Sequence, residues 1–218
     1  MIEAIFFDQD DTVVNTKAVA ILAYRAAVDY LAQKMSKDKE ELWLKWRGVV
    51  EKHKASLDPR VRSLSFSLGK ICENENWVEG AIACLEVIIK NKIELNSGVR
   101  DFFEADKRKI KYILTTEDHP NLLEIKLNKF KMRDKFDLVI GNIDTGSMKP
   151  NLKYYELAWK KFKLDPKKCI YVGDKYEKDC EIGAQKGGIT VLFGNKDKRA
   201  DFQIKDFREL KEIVEKYY

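Results

Sequence analysis

Five short apolar runs, each halting at a polar or glycine residue, set the tightest limit on what this chain can fold into. They occupy residues 2–7, 111–116, 136–141, 169–174 and 189–194. A short run with no polar alternation fits a strand buried on both faces, as in the middle of a parallel sheet. Between the runs the apolar spacing becomes helical, over 98–109, 119–131, 151–163, 177–187 and 206–217. In the last of these, Phe207, Leu210, Ile213 and Val214 fall on one face. Strands alternating with helices predict an α/β fold built on a doubly wound parallel sheet.

Residues 15 to about 95 break that alternation with several amphipathic helical patterns and no convincing buried strand. The expected organisation is therefore an α/β core from 1–14 and 96–218, with a helical domain inserted over 15–95. Val19, Leu22, Ala23, Ala26, Ala27, Tyr30 and Leu31 keep helical spacing, and 81–89 is a strongly apolar helix. Pro59 and Gly69 mark loops between helices. Trp43 and Trp46 share a face with Val50 and read as core packing.

Composition removes several classes of function. With 35% charged residues and no apolar stretch near the roughly 20 residues of a bilayer-spanning helix, no membrane partner is expected. The opening MIEAIFF carries no basic leader or small-residue cleavage site, so the expected location is cytoplasmic. Cys72, Cys84, Cys169 and Cys180 form no C-x-x-C pair and read as reduced thiols, neither zinc ribbon nor redox dithiol. The net charge of +5 does not imply nucleic acid. Basic runs such as Lys107-Arg108-Lys109 and Lys160-Lys161 are interleaved with acids at helical spacing, as on a solvated face. Monomer and homodimer are both compatible with the sequence.

In open α/β sheets ligands gather beyond the carboxyl ends of the strands, so the ends of the apolar runs are where chemistry is expected. The first gives Asp8-Gln9-Asp10-Asp11-Thr12, three carboxylates in four positions. Such crowding raises the carboxyl pKa values unless a cation or proton is shared, and magnesium, which takes hard oxygen ligands, is the economical answer. The second end is Thr115-Thr116, where a hydroxyl and backbone N–H groups suit an anionic oxygen. The third is Lys149-Pro150, a positive charge fixed by the proline after it. The fourth is Gly173-Asp174, followed by Asp179. One cation and one phosphate account for all four. Each has a plainer alternative taken alone: Asp11 or Thr12 as a helix cap, Thr115 bonded to backbone, Lys149 as surface charge, Gly173-Asp174 as a common turn. Their succession at strand ends is what is specific. Neither His53 nor His119 is assigned a role, although His119 falls near the expected site mouth.

These residues resemble the haloacid dehalogenase-like hydrolases, a phosphatase-rich superfamily. The matching motifs are FFDQDDT at 6–12, Thr115, Lys149 and VGDKYEKD at 172–179, and the likeness runs on through KPNLKYYELAWKKFKLDPKKCIYVGD and GAQKGGITVLF. It covers 1–14 and roughly 96–218, and the insert by position only. The resemblance implies Asp8 as the nucleophile that becomes an aspartyl-phosphate and Asp10 as the general acid and base. It implies Mg2+ held by Asp8, the Asp10 backbone carbonyl and Asp174, with Asp179 supporting from behind or through water. Thr115, Thr116 and Lys149 would grip the phosphoryl oxygens. Small-molecule phosphate monoesters are the implied substrates, with the insert acting as a cap and Lys45, Arg47, Arg60 and Arg62 as its candidate contacts.

Two departures matter. Asp11 stands where many members of the superfamily carry glycine, and the presence of Asp10 argues against dehalogenation, which needs no acid for its leaving group. A sugar phosphomutase would share the core residues. A signalling receiver has no use for the insert or for the acidic motif at 173–179, and an idle binding protein would not need the complete set.

Overall fold

The computed structural model describes residues 1–105 and 110–217; the basic run Lys107-Arg108-Lys109 and the end of the helix expected over 98–109 lie outside them. The chain passes through β1 (Ala4–Asp8), β2 (Val14–Asn15), α1 (Lys17–Met35), α2 (Lys39–His53), α3 (Leu64–Gly69), α4 (Asn76–Lys92) and β3 (Glu94–Leu95). It continues through α5 (Val99–Ala105), β4 (Lys111–Thr115), α6 (Pro120–Phe130), β5 (Leu138–Ile140), α7 (Asn142–Thr145) and α8 (Lys153–Phe162). The last elements are β6 (Cys169–Gly173), α9 (Glu181–Gln185), β7 (Ile189–Phe193), β8 (Phe202–Ile204) and α10 (Phe207–Tyr217).

Why β1 reads as an unbroken apolar run is clear from its two faces. Phe6 stacks on Tyr171 at 5.1 Å between centroids and meets Tyr155 and Trp159 of α8. Phe7, on the other face, packs among Phe102, Phe103, Tyr112, Phe136 and Phe207. Each face has its own core, so every position must be apolar. Helices α5, α6 and α10 contribute to the Phe7 side, and α8 with α9 to the Phe6 side.

All pairings in the six-stranded sheet are parallel, in the order β5-β4-β1-β6-β7-β8. The winding reverses at β1, and in sheets of this kind a ligand crevice opens beyond the strand ends at that reversal. The five expected strands are all present, and the three-residue β8 adds an edge strand that the apolar pattern did not reveal.

The helices α1–α4 fall between β2 and β3, which pair antiparallel with Val14 opposite Leu95. The helical stretch thus leaves and returns at one neck, where Asn96 also donates from its side chain to the Thr12 carbonyl at 2.8 Å. Trp43 and Trp46 are buried as expected, 5.1 Å apart. Val50 instead stays exposed, one turn beyond that packing. Gly69 closes α3 rather than sitting in a loop. Among the described residues no helix is long and apolar enough to cross a membrane.

Candidate active site

The register of the sheet delivers the expected residues to one edge. Asp8 ends β1 level with Thr115 of β4, and Phe7 pairs with Val172, so Gly173 and Asp174 emerge at the same end. In the turn after β1, Asp11 adopts φ +62°, a left-handed conformation that aspartate tolerates better than most residues and glycine tolerates freely. Its Oδ1 accepts the Lys17 N–H at 2.6 Å, so Asp11 caps α1 while Asp8 belongs to the site.

Lys149 is almost wholly buried, with 1% of its side chain exposed, and its Nζ lies 2.6 Å from Asp8 Oδ1 and 2.9 Å from Asp179 Oδ1. The Lys149-Pro150 peptide bond is cis. Carboxylate oxygens of Asp8, Asp174 and Asp179 all lie within 4.8 Å of one another. Asp179 gets there because Gly173 has no side chain: a β carbon on that residue would sit 2.1 Å from the Asp179 β carbon. It is carried on a π-helical turn, Tyr176–Cys180, and the Tyr155 hydroxyl donates to its carbonyl at 3.0 Å.

The charges respond to this crowding. Burial, then the negative charge of Asp179, pushes the Asp8 carboxyl well above the usual range, against the pull of Lys149. Burial also raises Asp174, with Lys175 opposing and Asp179 adding to the rise. Burial favours the uncharged form of Lys149, but Asp179 and Asp8 outweigh it and hold the ammonium charged. One carboxylate atom in the cluster, Asp174 Oδ2, is buried without a hydrogen-bond partner among the described residues, the ammonium groups of Lys17 and Lys175 standing off at 3.5 Å. Three converging carboxylates, one carrying an orphaned oxygen, have the donor chemistry that suits a hard divalent cation. Asp179, expected to stand behind the ligands, is in the cluster itself.

The two threonines differ. Thr115 Oγ1 donates to the Phe7 carbonyl at 3.2 Å, the backbone bond of its plainer reading. Thr116 has both donors engaged: its N–H bonds the Ile140 carbonyl at 3.0 Å and its hydroxyl bonds Gln9 Oε1 at 2.7 Å.

Asp10 has partners that sequence reasoning missed. Lys126 Nζ lies 2.5 Å from Asp10 Oδ1 and 2.5 Å from Asp118 Oδ2, and the Thr16 hydroxyl also donates to Asp10. Burial pushes Asp10 upward, but Lys126 and Thr16 outweigh it and hold the carboxyl below the usual range. Asp118 moves the other way, to about 7, through burial and then the charge of Asp10. Glu117 was missed too. It accepts the Lys149 N–H at 2.8 Å and ion pairs from Lys178 and from Arg62, joining two of the sequence motifs to the helical stretch. The signal available in advance was slight: Lys126 falls four positions after Leu122 and three after Leu123, on the apolar stripe of a helix.

A cleft of about 800 Å³ runs beside these groups, lined by Arg60, Arg62, Asp118, His119 and Asn142 among others. Arg62 and Arg60 therefore face it, whereas Lys45 and Arg47 do not line it and are exposed. His119 caps α6, its Nδ1 accepting the Asn121 N–H at 3.4 Å.

Comparison with known proteins places this edge in a family. The family model for haloacid dehalogenase-like hydrolase matches residues 2–187. A glyceraldehyde 3-phosphate phosphatase of Methanocaldococcus jannaschii is 26% identical, over 98% of this chain and 97% of its own. The crystal structure of a HAD phosphatase from Thermococcus onnurineus superposes with a TM-score of 0.80 at 19% identity, covering 97% of each chain. A magnesium-bound HAD hydrolase from Bacillus subtilis superposes with a TM-score of 0.72 at 15% identity, over 98% of this chain and 99% of that one. At these identities the two structures report the shared fold.

Proposed function

The chain belongs to the haloacid dehalogenase-like hydrolases, and from that premise we propose that it is a magnesium-dependent phosphatase of small phosphate monoesters, with Asp8 as its nucleophile. The observation that carries this reading is the meeting of Asp8, Lys149, Asp174 and Asp179 at the reversal point of the sheet. Asp8 and Asp174 would hold the cation, with Asp179 beside them and the Asp10 backbone carbonyl as a further ligand. When bound, that cation supplies charge neutralisation and orientation at the phosphoryl oxygens. The magnesium in the B. subtilis relative supports the choice of metal.

The protein's own groups do the rest. Lys149 orients the Asp8 carboxylate by its hydrogen bond and offsets negative charge gathering on the phosphoryl group. Asp8 attacks phosphorus, and Asp10 gives a proton to the departing alcohol and then takes one from the water that frees Asp8. Thr115 would meet a phosphoryl oxygen at the end of β4 by turning its hydroxyl away from the Phe7 carbonyl to which it now donates. Thr116, whose donors are engaged, would act by holding Gln9 and the turn in place. Glu117 fixes Lys149 through its backbone.

Residues 1–14 and 96–218 would form the catalytic core, and 15–95 a cap that excludes water over the cleft, with Arg62 as its leading substrate contact. Three-carbon sugar phosphates come first among candidate substrates, because the M. jannaschii relative is named for one. A cytoplasmic location belongs to the same reading, supported by four free cysteines.

The deciding experiment is phosphate release from a panel of sugar phosphates and from an aryl phosphate, with and without magnesium, by the wild type and by Asp8→Asn. Magnesium-dependent turnover that disappears in Asp8→Asn is the expected result. Undiminished turnover in the variant, or silence across the panel in magnesium, would overturn the proposal.

A further inference from the structure

Lysine is seldom buried, since an ammonium taken from water needs partners to replace its hydration. Lys126 lies on α6 beside Leu127 with 2% of its side chain exposed. An apolar residue would fill that space at least as well, so packing does not account for it. Its partners do. Nζ bridges Asp10 Oδ1 and Asp118 Oδ2, each at 2.5 Å, and the Thr16 hydroxyl donates to the same Asp10 oxygen. Asp10 comes from the turn after β1, Thr16 from the residue just ahead of α1, Asp118 from the loop between β4 and α6, and Lys126 from the body of α6. Despite these bonds, Asp10 keeps 34% of its side chain exposed.

We propose that Lys126 is a positioning residue for proton transfer: together with Thr16 it fixes Asp10 by Oδ1, leaving Oδ2 to exchange the proton with the reacting groups. The inference rests on the reading of Asp10 as the acid–base group. In the first half-reaction Asp10, which has taken up a proton from solvent on Oδ2, gives that proton to the departing oxygen as the bond from Asp8 to phosphorus forms and the ester P–O bond breaks. In the second, water oxygen bonds to phosphorus as the aspartyl P–O bond breaks, and Oδ2 takes the water's proton. Asp118 gives the ammonium a partner throughout, so Asp10 alone is released to the chemistry.

Leaving groups separate this role from a merely structural one. A nitrophenolate departs without a proton, whereas an alkoxide needs one. The measurement is the first-turnover rate of alcohol release by magnesium-loaded protein, from 4-nitrophenyl phosphate and from glycerol 3-phosphate, for the wild type, Lys126→Met and Asp10→Asn. Lys126→Met is expected to slow the alkyl ester about tenfold more than the aryl ester, with either KM within about twofold of wild type, and Asp10→Asn to show the same preference more strongly. Equal losses on both esters, or none, while Asp10→Asn remains selective, would overturn the role of Lys126. An unselective Asp10→Asn would instead overturn the reading of Asp10. Should Lys126→Met fail to fold, Lys126→Gln combined with Asp118→Asn replaces the charges by neutral hydrogen-bonding groups of similar size and is read by the same ratio.

Discussion

At Gly173 the space of one methyl group separates a working acidic cluster from a displaced one. Any β carbon there meets the Asp179 side chain at 2.1 to 2.4 Å, and Asp179 is held in turn by Lys149 Nζ at 2.9 Å and by the Lys175 N–H at 3.1 Å. The displaced part would be a carboxylate and its ammonium rather than the far end of a flexible chain. Gly173→Ala is therefore expected to cost about 1–3 kcal/mol of stability, in the range of overpacked buried sites, and to lower kcat by tenfold or more. Thermal unfolding and steady-state kinetics of the variant check both, and wild-type values for either would show that the cluster adapts to the added carbon. The glycine was visible in the sequence as part of a Gly-Asp turn. What it must avoid was not, because Asp179 reaches it only through the π-helical turn that follows.

Elements meet at the start of α10. Asp206 Oδ1 accepts the Arg208 N–H at 2.8 Å, and Glu209 Oε1 accepts the Asp206 N–H at 2.9 Å, a reciprocal capping exchange. Asp206 Oδ2 also accepts from Ser97 at 2.5 Å, tying α10 to the residue just ahead of α5 where Phe102 and Phe207 pack together. The Arg208 guanidinium holds the Asp206 carboxyl below the usual carboxylate range against the opposing pull of desolvation, and Ser97 adds to the fall. A lowered folded pKa gives stability that is complete above the ordinary value of about 3.9 and lost as pH falls through the lower folded one. Asp206→Asn keeps a capping oxygen but no charge, so it should cost about 0.5 kcal/mol at pH 7. That gap to wild type should close on acidification below about pH 4, as read by denaturant titration across pH; a gap independent of pH would remove the charge from the account. Element by element, the pattern of the sequence went far. The apolar runs at β1, β6 and β7 became strands buried on both faces, which leaves little choice of residue, while β4 and the edge strand β5 kept apolar runs with part of their length half-buried. Edge strand β8, with Gln203 exposed between Phe202 and Ile204, lacks that constraint and left no run to see. Lys126 was hidden for the opposite reason: a helix stripe identifies a face, but the carboxylates that make a buried lysine tolerable come from 8 and 116 positions away in the chain.

Over the whole molecule, the acidic cluster joins distant parts of the chain, Asp8 near one end and Asp174 with Asp179 near the other. Unfolding must separate them, so a cation bound there stabilises the fold globally rather than one loop. Lys149 already neutralises part of the cluster by pairing with Asp8 and Asp179, while among the described residues the ammonium groups nearest Asp174 Oδ2 are those of Lys17 and Lys175, each at 3.5 Å. On the proposed reading, Asp174 is therefore the residue through which a bound magnesium ion would change the balance most. At free magnesium about a hundred times Kd the linkage amounts to about 2.7 kcal/mol. For a chain of this size that raises Tm by roughly 5–10 °C over the chelator-treated protein. In Asp174→Asn the rise should fall to a third or less. The metal-free variant should melt no lower than metal-free wild type, since the substitution removes one of the mutually repelling carboxylates along with a ligand. Scanning calorimetry with and without chelator reads both without any substrate. An undiminished magnesium shift in Asp174→Asn would place the cation elsewhere, whereas a lost shift together with a collapsed metal-free Tm would make Asp174 a structural support rather than a ligand.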